Sequence, residues 1–141
     1  MSDTATETLS VIVEREISYP AEKIWRALTQ PHLIEEWLMK NDFKPVAGHR
    51  FNLRKDPQPN VSVVVDCQVL EVEPNKTLSY TWSAFGLESV VTWTLTPTST
   101  GTRLRMEQSG FRPDQQQAYQ GAKHGWPQFF ANLEQVLARI D

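Results

Sequence analysis

The stretch that most constrains this chain is its last, residues 114–140. Tyr119, Ala122, Trp126, Phe129, Phe130, Leu133, Val136, Leu137 and Ile140 recur there at the i, i+3, i+4, i+7 spacing of one helical face. At about 100° per residue they fill an arc of roughly 120°. Pro127 falls inside the pattern, just after Gly125 and Trp126. The apolar stripe keeps its phase through the proline, so the segment reads as one long helix kinked near Gly125 or as two nearly collinear helices. A stripe this apolar and aromatic needs an apolar surface of comparable length to cover.

Strands supply that surface. LSVIVEREI, from Leu9 to Ile17, is β-branched and roughly alternating. Two short helices follow, each opened by a proline, Pro20 and Pro31, at its first position, where the missing N–H is not needed. Ile24, Trp25 and Leu28 form the apolar side of the first; Leu33, Ile34, Trp37 and Leu38 form that of the second. The rest, up to the last helix, reads as about five strands joined by tight turns. Phe51 and Leu53 alternate in the first of these, and residues 56–60, DPQPN, make a turn by composition. In VSVVVDCQVLEVE the apolar phase is odd from Val61 to Val69 and even at Leu70 and Val72, which predicts a β-bulge or strong bend. Leu78, Tyr80 and Trp82 share one face, as do Val91, Trp93 and Leu95, and then Leu104, Met106 and Gln108. Successive hairpins imply a mostly antiparallel sheet with one apolar face. The last helix is the only element long enough to cover it. A curved sheet around a helix need not be filled by side chains, so an apolar cavity between them is expected.

The chain has 141 residues, which suits one domain, expected at 9–141 behind a frayed polar tail at 1–8. A formal net charge of −3 and the lack of a basic stripe argue against nucleic acid as a partner. No run approaches the ~18 apolar residues of a membrane span. The polar, acidic start has no signal-peptide character, and Cys67 is the single cysteine. Both point to a cytoplasmic location and exclude an internal disulfide.

Each aromatic can fill the core or line the cavity. The candidates for contact with a ligand are Trp37, Phe51, Tyr80, Trp82, Trp93, Met106, Gln108, Phe111, Trp126 and Phe130. Gln108 shares the phase of Leu104 and Met106; it either ends its strand near solvent, the more ordinary outcome, or turns an amide inward to orient a ligand. Phe111 in SGFRPD and the stretch WLMKNDF read as loops that anchor, gate the cavity or form a partner-docking patch. Cys67 reads as a buried, inert thiol. His32, His49 and His124 have no metal-ligand spacing to one another, to Cys67 or to a carboxylate, and no nucleophile–base motif is present. No metal, cofactor or catalytic pair is therefore expected.

Several stretches together resemble one family. Arg15-Glu16-Ile17 leads into YPAEKIWRALTQPHLIEEWL; VLEVEPNKTLSYTW and VTWTLTPTSTGTRLRMEQSGF follow; Gly125-Trp126 with Leu133 and Leu137 closes the set. The order resembles the helix-grip superfamily of START domains, birch-pollen-allergen-like proteins and polyketide cyclases. Within it, the chain looks like the family named for the activator of heat-shock-protein ATPase. It departs from that pattern at Trp37-Leu38, where relatives carry a tryptophan pair, and at Pro127. The resemblance implies an α+β helix-grip fold: a curved antiparallel sheet around a long C-terminal helix, with two short helices after the first strand. Three functions are compatible with it. The first is non-enzymatic binding of a small hydrophobic molecule, lipid- or polyketide-like. The second is a module that modulates a chaperone ATPase in the stress response. The third is a cyclase- or hydrolase-like enzyme using the same cavity.

Overall fold

The computed structural model describes residues 8–59 and 61–141. Most of the expected tail, residues 1–7, lies outside the described residues, as does Asn60 at the end of the expected 56–60 turn. The elements run β1 (Leu9–Ile17), α1 (Ala21–Thr29), α2 (Pro31–Trp37), β2 (Lys40–Asn41), β3 (Arg50–Gln58), β4 (Val61–Glu73), β5 (Thr77–Ala84), β6 (Leu87–Pro97), β7 (Thr102–Phe111) and α3 (Gln116–Arg139). The strands form one curved antiparallel sheet in the order β1-β7-β6-β5-β4-β3-β2. With α3 against it, this is the helix-grip architecture.

Local chemistry explains most boundaries. Gln30 is both the C-cap of α1 and the N-cap of α2, and Pro31 opens α2 where its missing N–H leaves no bond unmade. Pro20 sits one position earlier than expected: it is the N-cap of α1, extended at ψ 154°, and its carbonyl accepts from Lys23 and Ile24. Two other expectations shift. β3 continues through Gln58 with a slip in register against β4, so the expected turn is shorter. The WLMKNDF stretch contains the two-residue strand β2 and the buried Phe43. The helix at the C-terminus is uninterrupted from Gln116 to Arg139, through Pro127, so it is one helix and not two.

Besides β3, two strands carry one residue more than their partners. On β4, Val69 pairs with Tyr80 but Glu71 pairs with Ser79, which leaves Leu70 as the bulged residue. The bulge lies where the hydrophobic phase changes, but Leu70 itself points outward and is 47% exposed. The insertion lets Val69 and Val72 both serve the inner face. On β7, Ser109 pairs with Ser10 and Phe111 with Leu9, so Gly110 is the extra residue. It takes φ 113°, which is open to glycine and strained for other residues. The consequence is a phase change: Leu104, Met106 and Gln108 point inward on even numbers, and Phe111 still reaches the interior at 0% exposure. Phe111 is thus the last residue of a strand and not part of a loop.

The core is continuous from β1 across the sheet to α1, α2 and α3. Its tightest region joins Trp37 of α2, Trp93 of β6 and Phe130 of α3, each at most 2% exposed. Glu36 and Arg139 add an ion pair of 2.6 Å between α2 and the end of α3. Cys67 is buried on β4, and burial pushes its thiol up to about 12 from the usual 9.0, with the negative charges of Asp66 and Asp42 adding to the effect.

Two outcomes follow from these contacts. A Cβ on residue 110 would stand 2.8 Å from the carbonyl oxygen of Glu88 in a backbone region that L-residues avoid. Gly110→Ala is therefore expected to lower stability by about 1–3 kcal/mol in urea denaturation. Cys67 should resist a water-soluble disulfide reagent in the folded protein and react fully once unfolded. Its folded pKa lies above the unfolded value, so the unfolded chain loses the proton first. Stability should therefore fall as pH rises from about 9 towards about 12, and Cys67→Val should make that fall shallower without abolishing it, because the buried Tyr80 phenol is raised too and acts in the same direction.

Candidate functional site

The site is built where α3 changes character. Its C-terminal half presents Phe130, Leu133, Val136 and Leu137 to the sheet, all at most 1% exposed. Its N-terminal half presents Ala118, Gly121, Ala122 and Gly125 along the same stripe. Ala118 and Gly121 are exposed and Ala122 and Gly125 half-buried, so the space of about 300 Å³ between them and the sheet is a cavity partly open to solvent. Trp82, Leu87, Gln108 and Phe111 border it from the sheet, and Trp126 and Phe129 close its end on the helix. A Cβ added to Gly121 or Gly125 would meet nothing within 4 Å. The space beside Trp126 thus comes from absent side chains on one helical face.

A wider depression of about 590 Å³ adjoins this cavity and shares Trp82, Leu87 and Ala118 with it. Its other walls include Met39, Val63, Val65 and Phe85. Phe85 and Gly86 form the two-residue turn between β5 and β6, with φ 51° and 80°, and Phe85 is 86% exposed. Gln115, just before α3, donates to the carbonyl of Gly86 at 3.2 Å and ties this turn to the helix start. A separate hollow of about 420 Å³ lies between β1 and the Tyr119, Lys123 and Pro127 side of α3. None of the expected site residues borders it.

One polar chain runs through the interior at the cavity wall. The indole N–H of Trp126 donates to Oε1 of Gln108 at 2.7 Å. The Gln108 Nε2 donates to Oγ of Ser89 at 2.9 Å, and Ser89 donates to the backbone carbonyl of Trp82 at 2.8 Å. An indole N–H can only donate, which fixes which end of the Gln108 amide faces Trp126. Gln108 is 2% exposed and Ser89 5% exposed. The more ordinary expectation, a Gln108 side chain near solvent, is therefore corrected: Gly110 delays the end of β7, and Gln108 stays inside.

The structure divides the ten expected residues. Trp82, Gln108, Phe111 and Trp126 border the inner cavity. Trp37, Trp93, Met106 and Phe130 pack as a fully buried block beside it. In that block the Trp37 indole donates to the carbonyl of Ala27 at 2.8 Å, and the Trp93 indole donates to the Tyr80 hydroxyl at 3.0 Å. Phe51 and Tyr80 stack edge-to-face at 5.4 Å with Phe43 close to both. Burial pushes the Tyr80 phenol far above its ordinary value, and the Trp93 hydrogen bond opposes this only in part.

Sequence reading passed over Ser89, Leu87, Phe129 and the small residues of α3. The signal for Ser89 was present, since it shares the inward phase of Val91 and Trp93. The signal for the helix was four small residues in phase with a large apolar stripe. Among the described residues, no group of three or more His, Cys, Asp or Glu side chains could hold a metal ion, and no helix is long and apolar enough to cross a membrane.

Comparison with known proteins places the chain in a family. The Mesorhizobium loti protein MLL2253 has a crystal structure 68% identical in sequence, with a TM-score of 0.89 over 94% of this chain and 99% of its own. The Nitrosomonas europaea protein NE0264 is 25% identical, with a TM-score of 0.81 over 93% of this chain and 95% of its own. DynU16, a protein in the dynemicin biosynthetic locus, is 26% identical with a TM-score of 0.76; the match covers 94% of this chain and 47% of DynU16. No protein of curated function matches. Residues 18–138 match the family model described as Activator of Hsp90 ATPase homolog 1-like protein, and the chain belongs to that family.

Proposed function

We propose that this protein binds a small apolar molecule in the cavity between the sheet and the N-terminal half of α3, without transforming it. The observation that carries this reading is the half-buried, helix-interior Gly125 at the cavity wall beside Trp126. Glycine inside a helix is less favourable than alanine by about 1 kcal/mol. Gly121 and Gly125 have open space where an alanine methyl would sit. Gly121 is exposed and its open space is solvent; Gly125 is half-buried beside Trp126, and there the open volume suits a ligand.

The walls suit an apolar guest. The inner cavity is bordered by aromatic and aliphatic side chains, with Gln108 as its one amide and no ionisable group among its lining residues. Binding would be driven by removal of apolar area from water, worth about 25 cal/mol per Å² before the losses of association. Trp82, Phe111, Trp126 and Gln108 are the proposed contacts, with Phe85 and Met39 at the mouth. Catalysis requires a second positioned polar group facing the same atom, and the lining offers no acid–base pair. The locus of DynU16 is compatible with a small-molecule ligand. The reading as a chaperone-ATPase modulator has the family's description behind it, and no feature of this cavity adds to it.

The direct test is native mass spectrometry of the freshly purified protein, then solvent extraction and mass analysis of what is released. An added mass lost on denaturation is expected. A cavity-filling variant separates binding from folding. Gly125→Leu should leave the unfolding midpoint unchanged or higher, because a better helix former replaces glycine in open space. It should weaken binding of the uncharged dye N-phenylnaphthylamine by about tenfold or more, as the leucine occupies the guest's volume. Equal dye affinity in both proteins would place the binding site elsewhere.

A further inference from the structure

The polar chain at the cavity wall does more than satisfy buried groups, and what it leaves over is specific. A glutamine amide has two N–H donors and an oxygen with two lone pairs. In Gln108 one lone pair is taken by the Trp126 indole and one N–H by Ser89. Ser89 in turn is held by the Trp82 carbonyl, so the amide cannot rotate without breaking a bond at each end. One N–H and one lone pair remain on a side chain that is 2% exposed and borders the inner cavity.

We propose that Gln108 selects, within the cavity proposed above, an uncharged apolar ligand carrying one hydroxyl or carbonyl group at its buried end. A hydroxyl matches both leftover capacities: its oxygen accepts from Nε2 and its proton goes to Oε1. A carbonyl uses the N–H alone. Neither kind of ion is matched. A carboxylate would find a single amide N–H and no cationic side chain along the inner wall, and an ammonium would find no carboxylate there. A buried charge without a partner carries a penalty that the apolar walls do not offset. The preference is therefore for alcohols, phenols and ketones over fatty acids, anionic lipids and amines. It rests on the reading of the cavity as a ligand site, and the test separates the two.

The full chain, labelled with nitrogen-15, is titrated with naphthol, methylnaphthalene, naphthoate and naphthylmethylammonium, and binding is followed on the tryptophan indole N–H signals. Naphthol should bind about fivefold more tightly than methylnaphthalene, the worth of one net hydrogen bond, and the two ions more weakly still. The Trp126 signal should move on binding, since its acceptor is the group that the ligand engages. In Gln108→Leu the preference for naphthol should vanish while methylnaphthalene still binds. Methylnaphthalene binding as tightly as naphthol to the wild-type protein, or either ion binding tightest, would overturn the proposed selectivity and leave the cavity reading standing. Failure of all four probes to bind would overturn both. Should Gln108→Leu fail to fold, the wild-type series decides alone.

Discussion

Trp93 is the point on which the architecture rests. Its ring meets Trp37 edge-on at 5.6 Å, Trp126 at 5.8 Å and Phe130 at 5.6 Å, and its indole donates to Tyr80 at 3.0 Å. One residue of β6 thereby fixes the positions of α2, β5 and two successive turns of α3. Aromatic pairs in such geometries contribute about 0.5–1.5 kcal/mol each beyond the area they bury. Their angular preference matters as much as their energy. An aliphatic residue could fill the volume, but it would not fix the tilt of Trp126. That tilt brings the Trp126 indole N–H to Gln108.

From this anchor the helix divides naturally. C-terminal to Trp126, the stripe is large and the gap to the sheet closes. N-terminal to it, Tyr119 still packs on Phe111, but the positions between are alanine and glycine and the gap there stays open. A protein interior is normally packed as densely as an organic crystal, and unfilled apolar volume is destabilising in proportion to its size. A fold can carry such a space only if the surrounding walls are held independently of whatever occupies it. Here they are. Trp93 and its neighbours hold one end, and Gln115 ties the β5–β6 turn to the start of α3. The Gly110 bulge turns Phe111 inward, where it meets Tyr119 at 5.5 Å. The space is framed by rigid contacts.

Much of this framework was legible in the chain. β-Branched residues in rough alternation mark β1 from Leu9 to Ile17. Pro31 marked the start of α2, and the odd-to-even switch after Val69 located the β4 bulge. These are local signals, because the period of a side-chain pattern is set by the backbone that carries it. What could not be read is of two kinds. The direction of single residues at irregular points depends on register: the phase of Leu70 predicts an inward residue and it points out, and the composition around Phe111 predicts a loop and it is buried. β2, of two residues, is too short to have a period at all. The cavity belongs to the second kind. Hydrophobic pattern says which face is covered; it does not say how much volume is missing. Ala118, Gly121, Ala122 and Gly125 read as ordinary helix residues until the opposing strands are placed against them.

The chain of hydrogen bonds from Trp126 through Gln108 and Ser89 to the Trp82 carbonyl also has a logic that packing alone does not supply. Replacing buried hydrogen-bonded groups with apolar ones of the same shape can be nearly neutral in stability, so stability gives weak grounds for a glutamine at this position. Removing one member alone is different, because it strands a donor or acceptor out of reach of water. Such a chain therefore adds orientation. It fixes the Trp126 indole against β7 and β6, and it holds one amide in place at the wall of a cavity that is otherwise apolar. A purely apolar site would grade ligands by size and area. One fixed amide would add a direction: under the proposed selectivity, a guest's single polar atom would decide which end enters first.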